Sequence, residues 1–216
     1  MEKSVVLERK RAAEIVERLK VEYPNAKCSL TYKTDHQLLV ATILSAQCTD
    51  KRVNQITPGL FKKYKNIESF AYCDVEELAQ DIHSAGYHNS KARSIQGSAI
   101  KIAEENNGQI PTNMKDLINL PGIGRKTANC VLGECFNVPS MVIDTHMIRI
   151  FNLLEFSKTT NAVKMELELM EIFDKKDWVK LTHMIIEHGR AVCIARRPQC
   201  DKCVLEDLCP SASITN

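Results

Sequence analysis

Apolar residues recur at spacings of three and four along almost the whole chain and seldom alternate, so the sequence reads as a succession of amphipathic helices and contains no convincing strand. The spacing predicts helices over roughly 3–22, 35–48, 50–64, 75–83, 89–106, 113–119, 124–136, 145–155, 160–174 and 177–191, which makes the fold class all-α. The 35–48 segment is apolar on nearly every side (Leu38, Leu39, Val40, Ala41, Ile43, Leu44, Ala46), which predicts a central position in a helical domain. Its polar end, with Ser45, Gln47 and Thr49, then faces something other than core. No low-complexity linker and no internal repeat interrupts the pattern, so any division into domains must be compact.

Composition agrees. With 216 residues, 44% hydrophobic and 26% charged, the chain is neither disordered nor collagen-like. A globule of this size buries roughly 70% of its extended-chain surface, enough to be stable without staples. Nine cysteines, an odd number, with no secretory leader to accompany them, therefore give no reason to infer a disulfide framework and point to a reducing compartment. The longest apolar run, Leu38–Leu44, is far short of a membrane span. The expectation is a soluble protein with no membrane partner. A formal net charge of +2 does not announce a nucleic-acid partner, so any such surface must be a local patch.

Two stretches carry chemistry. In Leu120–Phe136, LPGIGRKTANCVLGECF, Pro121 ends one short helix, for which Asn113 and Asp116 could form a capping box, and a second helix follows. Gly122 and Gly124 allow backbone angles and a close approach that a Cβ would forbid, and the exposed amides at the second helix's start suit a phosphate. Arg125 and Lys126 fall in that helix's first turn, where the macrodipole disfavours cations, so stability does not explain them. The second stretch is Cys193-x6-Cys200-x2-Cys203-x5-Cys209, whose thiolates select zinc or an iron–sulfur cluster; the spacing alone leaves both open. Arg196, Arg197 and Lys202 lie between these cysteines. Cys28, Cys48, Cys73, Cys130 and Cys135 read as small buried apolar residues.

Taken whole, LPGIGRKTAN resembles the hairpin of the helix-hairpin-helix DNA glycosylases of the endonuclease III family, and PSMVIDTHMIR places Asp144, as in that family, eighteen residues after Lys126. HGRAVCIARRPQCDKCVLEDLC, His188–Cys209, resembles the family's 4Fe-4S loop, spacing included. The resemblance implies a two-lobed fold: a six-helix domain over 28–137 that carries the hairpin, and an iron–sulfur domain combining 1–27 with 138–216. It implies a 4Fe-4S cluster on Cys193, Cys200, Cys203 and Cys209, and a bifunctional base excision repair enzyme, a DNA glycosylase and abasic-site lyase. Lys126 and Asp144 would be its catalytic pair. An amine nucleophile must be neutral, a form that an ordinary lysine adopts in about one molecule per thousand at neutral pH, and a positive helix end favours it. Asp144 at another helix start would stay a carboxylate able to accept a proton.

The implied substrate is duplex DNA bearing oxidised pyrimidines or abasic sites, bound by a cytoplasmic monomer, nucleoid-associated when on DNA. Excision from a duplex requires the base to be extruded and the gap filled. ILSAQCTD resembles the family segment that supplies the gap-filling glutamine, here Gln47, and SAGYHNSKAR resembles the opposite wedge loop. The family commonly has an aliphatic residue or Phe after that glycine, where this chain has Tyr87 and then His88. Gly122, Gly124, Arg125, Arg196, Arg197 and Lys202 complete the expected DNA contacts. Two other readings are an adenine mismatch glycosylase and a non-catalytic iron–sulfur DNA-binding protein. The first lacks the hairpin lysine present here, and the pairing of Lys126 with Asp144 argues against the second.

Overall fold

Most of the helices begin where a side chain can satisfy the orphan amides of a first turn. The computed structural model describes residues 2–212. Its α-helices are α1 (Glu2–Glu22), α2 (Asp35–Ser45), α3 (Asp50–Lys63), α4 (Ile67–Ala71), α5 (Val75–Asp81), α6 (His88–Glu105), α7 (Met114–Ile118), α8 (Arg125–Phe136), α9 (Thr145–Leu153), α10 (Ala162–Ile172) and α11 (Trp178–Ala191). Single 3-10 turns at His83–Ala85, Lys175–Asp177, Cys200–Lys202 and Glu206–Leu208 complete the order, and the described residues contain no strand. Thr34, Thr49, Asn66, Asp74, Asn113, Asp144 and Asn161 each cap the helix that follows with a side-chain oxygen. Asn113 accepts from the Asp116 amide, but the Asp116 carboxylate takes the Asn113 side-chain amide rather than its backbone N–H, so the expected capping box is not formed. The box forms instead at Asn66–Ser69.

Two compact units divide the chain. The first is continuous, Cys28–Val138, and is organised around α2, whose seven residues Leu38–Leu44 are all buried. Such a helix has no solvent face, and α3, α6 and α8 pack against it. The second unit joins the N-terminal segment through Lys27 to the chain from Pro139 onward. Among the described side chains of α1, Ala12, Ile15, Val16 and Leu19 are buried, a stripe at i, i+3, i+4 and i+7. α9 repeats the pattern with Met147, Ile150, Phe151 and Leu154, and both stripes face α11 or its neighbours. Phe151, Phe156 and Phe173 meet edge to face at centroid distances of 5.2–6.1 Å, each pair contributing about 1 kcal/mol beyond simple burial. The Asp177 carboxylate is drawn to Lys20 of α1 at 2.9 Å and leaves the start of α11 without a side-chain cap.

Three differences from the periodicity reading have local causes. α2 stops at Ser45 because Ala46 turns extended and Gln47 adopts φ 53°. The 75–83 segment splits into α5 and a 3-10 turn. α4 has five residues, too few to show a helical period.

Candidate functional site

The hairpin is built from α7, the turn Asn119–Gly124 and α8, and it is fastened to α6. Ser98 Oγ donates to the Pro121 carbonyl at 2.6 Å, while Leu120 and Ile123 are buried. Gly122 has φ +76°, and a Cβ there would lie 2.5 Å from the Ser94 Cβ. Its lack of a side chain is thus required by the fold. Gly124 differs: its φ is −92°, and a Cβ would meet nothing within 4 Å. The protein itself does not need glycine there, so of the two glycines expected to supply backbone angles that a Cβ would forbid, only Gly122 does so. Gly124 is the N-cap of α8 and offers no side-chain cap to the amides of the first turn, the end of a helix that suits a phosphate.

Lys126, the second residue of α8, is exposed, and among the described residues its amine has neither a hydrogen-bond nor an ion-pair partner. Arg125 is half-buried. Asp144 belongs to the other unit and is half-buried as the N-cap of α9. Its Oδ1 accepts from the Met147 amide at 2.9 Å, which fixes the carboxylate's direction and leaves Oδ2 for another task.

Gln47 and Tyr87 are both exposed and both adopt left-handed backbone angles, φ 53° and 49°. For residues other than glycine this conformation is strained and persists where surrounding structure enforces it. His88 is half-buried, its ring 4.5 Å from that of His83.

None of the nine cysteines is in a disulfide. Cys193, Cys200, Cys203 and Cys209 line one cavity, whose remaining walls include Ile150, Leu153, Leu154 and Leu205. Among the described residues no three His, Cys, Asp or Glu side chains converge tightly enough to hold a single ion; four soft donors spread around a shared apolar cavity fit a larger, thiolate-held group. Burial pushes the thiols of Cys193, Cys203 and Cys209 up, Cys203 to about 11, so the thiolates such a group requires need its positive charge.

Around these ligands the donors are already in place. Arg149 Nη1 donates to the carbonyl and the sulfur of Cys193, the latter at 3.5 Å. The Leu205 amide reaches the Cys203 sulfur at 3.4 Å. His188, buried to 2% exposure, stands between Tyr23 and Cys203: its Nδ1 is 3.0 Å from the Tyr23 hydroxyl and its Nε2 3.5 Å from the Cys203 sulfur. Burial, with Arg149 nearby, holds the His188 pKa down to about 4, so the ring is neutral. A liganding thiolate can only accept, which puts the proton on Nε2 and makes Tyr23 the donor to Nδ1. α1 also clamps this loop through Arg11, which donates to the Leu154 and Leu208 carbonyls, and Arg18, which donates to the Val204 carbonyl and Asp207. Tyr23, Arg11, Arg18 and Arg149 escaped the sequence reading because nothing local marks contacts spanning up to 197 residues. Arg196 and Arg197 are exposed, and Lys202 reaches back to Gln199 at 3.1 Å. Cys28, Cys48, Cys73, Cys130 and Cys135 are half-buried against the core of the continuous unit rather than fully enclosed.

Comparison with known proteins agrees with this geometry. Residues 40–175 match the HhH-GPD superfamily of base excision DNA repair proteins, and residues 193–209 match the iron-sulfur binding domain of endonuclease III. The chain is 48% identical over 205 residues to endonuclease III of Synechocystis sp., covering 94% of each protein. Two solved structures, a non-covalent endonuclease III–DNA complex and a trapped covalent endonuclease III–DNA intermediate, each superpose with a TM-score of 0.90 at 37% identity, covering 95% of this chain and 97% of theirs. The exposed lysine of the hairpin, the capped aspartate and the four-cysteine cavity thus sit in a chain that belongs to the endonuclease III family of the HhH-GPD superfamily.

Proposed function

We propose that this protein is a bifunctional DNA glycosylase and abasic-site lyase of base excision repair, with Lys126 as nucleophile and Asp144 as its carboxylate partner. The observation that carries the reading is the Lys126 amine: exposed, unpartnered among the described residues, and in the first turn of a helix whose start is open to a phosphate. The likeness to a trapped covalent endonuclease III–DNA intermediate supports it.

The chemistry follows from a neutral amine and a carboxylate. With the base flipped out of the duplex, the Lys126 lone pair forms a bond to C1′ while the C1′–N bond breaks. The base leaves with that electron pair and takes up a proton. Ring opening gives a Schiff base between Lys126 and the sugar. Loss of a C2′ proton then lets the C3′–O bond break, releasing the phosphate on the 3′ side, and water returns the free lysine. Asp144, oriented by its bond to the Met147 amide, offers Oδ2 to accept a proton or to stabilise charge on the sugar. The start of α8 at Gly124 and the side chain of Arg125 hold the strand.

Cys193, Cys200, Cys203 and Cys209 would hold a 4Fe-4S cluster, and its binding would cross-link the loop that presents Arg196, Arg197 and Lys202. These cations meet phosphates. Oxidised pyrimidines are the lesions this reading favours, removed by a cytoplasmic monomer; no described helix is long and apolar enough to cross a membrane.

Incubation with duplex DNA carrying one thymine glycol or one abasic site, in the presence of borohydride, tests the proposal. A covalent adduct on both is expected. An adduct on the abasic site alone assigns a different base specificity, and none on either leaves a DNA-binding protein without amine chemistry.

A further inference from the structure

Lys91, in the first turn of α6, is 5% exposed, and among the described residues no ion pair relieves its burial. Its ammonium donates to two backbone carbonyls, Leu44 at 2.8 Å and Ala85 at 2.9 Å. Burying a lysine is costly, and packing alone would be served by an apolar side chain of the same length. The two acceptors explain its place. Leu44 lies in the last turn of α2, where carbonyls lack intrahelical donors and where α2 has no basic residue of its own. Ala85 closes the 3-10 turn His83–Ala85. Three residues after Leu44 comes Gln47, and two after Ala85 comes Tyr87, both held in the left-handed region. One buried ammonium therefore ties together the stems of two strained loops that lie forty residues apart in the chain.

We propose that Lys91 is a positioning residue that locks the Gln47 loop to the Tyr87 loop, so that the two side chains enter the duplex as a pair during base extrusion. The proposal rests on the reading that Gln47 and Tyr87 fill the gap. Strain at each tip is maintained by a stem that cannot relax independently of the other, which is what a residue outside the chemistry can contribute to geometry. Burial also pulls the Lys91 pKa below that of an ordinary lysine, while the two carbonyls favour the charged form.

The test uses the holoprotein and duplex DNA with 2-aminopurine beside a thymine glycol, reading extrusion by fluorescence and excision under single turnover. Lys91→Met keeps the side chain's length and removes the donor. It should slow extrusion and excision about 10- to 100-fold, the scale of a misplacement of roughly 1 Å. Cleavage of an abasic site in single-stranded DNA, where nothing needs extruding, should stay unchanged. Lys91→Gln, which can donate to both carbonyls only imperfectly, should fall between and serves if Lys91→Met does not fold. Gln47→Ala with Tyr87→Ala separates the two ideas. If that pair leaves extrusion intact, the gap-filling reading fails; if the pair lowers extrusion while the Lys91 variants do not, the proposal fails. Adding Lys91→Met to the pair should cost nothing further, because its effect runs through them; a full additive loss would overturn it.

Discussion

Replacing each hairpin glycine by alanine separates what the fold needs from what DNA needs. At Gly122 an added Cβ would stand 2.5 Å from the Ser94 Cβ and 2.6 Å from its Oγ. The hydroxyl can rotate away, but the Cβ is fixed to the backbone of α6. Overpacking of this kind costs about 1–3 kcal/mol, and forcing alanine to φ +76° adds about 1–2 kcal/mol. A smaller unfolded-state entropy returns about 0.4–1 kcal/mol, so Gly122→Ala should destabilise by about 1–5 kcal/mol. At Gly124 neither penalty applies, since φ is −92° and the space is open. Gly124→Ala should be neutral or slightly stabilising, and its new methyl group should weaken binding to abasic-site DNA by obstructing a phosphate's approach. Urea denaturation of the holoprotein and DNA titration read the two effects separately. Equal destabilisation by both variants, or unchanged DNA affinity in a fully folded Gly124→Ala protein, would refute the division of roles.

Other consequences are testable. Tyr23→Phe leaves His188 Nδ1 buried without its donor and should cost about 1–3 kcal/mol in holoprotein stability, with DNA affinity unchanged; denaturation and binding assays check both. Arg196→Ala with Arg197→Ala should lower DNA affinity and flatten the slope of log K against log salt by about 1.8, for two lost phosphate contacts. Burial pushes the Cys135 thiol up to about 12, so although half-exposed it should alkylate at pH 8 about a thousandfold more slowly than an ordinary cysteine, the thiolate being the reactive form, as peptide mapping after timed iodoacetamide treatment would show.

Much of this molecule is written locally. The stripes of α1 and α9, the all-apolar face of α2, the hairpin string and the spacing of four cysteines are short-range patterns that a linear reading recovers. Exceptions arise where one residue's conformation overrides a pattern, as Gln47 does in ending α2, or where an element such as α4 is shorter than its own period. The partner of a buried polar group was illegible for another reason. Lys91 reads as one more cation near the start of a helix, and only folding brings Leu44 and Ala85 to its amine. Tyr23 likewise acquires meaning only through His188, 165 residues away. Gly122 and Gly124 look alike in sequence, and only the folded backbone distinguishes them, through a left-handed φ and the neighbouring Ser94 at the first.

The central claim is that one amine, that of Lys126, performs the chemistry. The most direct measurement is to trap the adduct on abasic-site duplex with borohydride, digest it, and identify the modified peptide by mass spectrometry, with Lys126→Gln run alongside. The account predicts the sugar remnant on Lys126 and no adduct from the variant. A remnant on another lysine or on the N-terminal amine, or an undiminished adduct from Lys126→Gln, would contradict it.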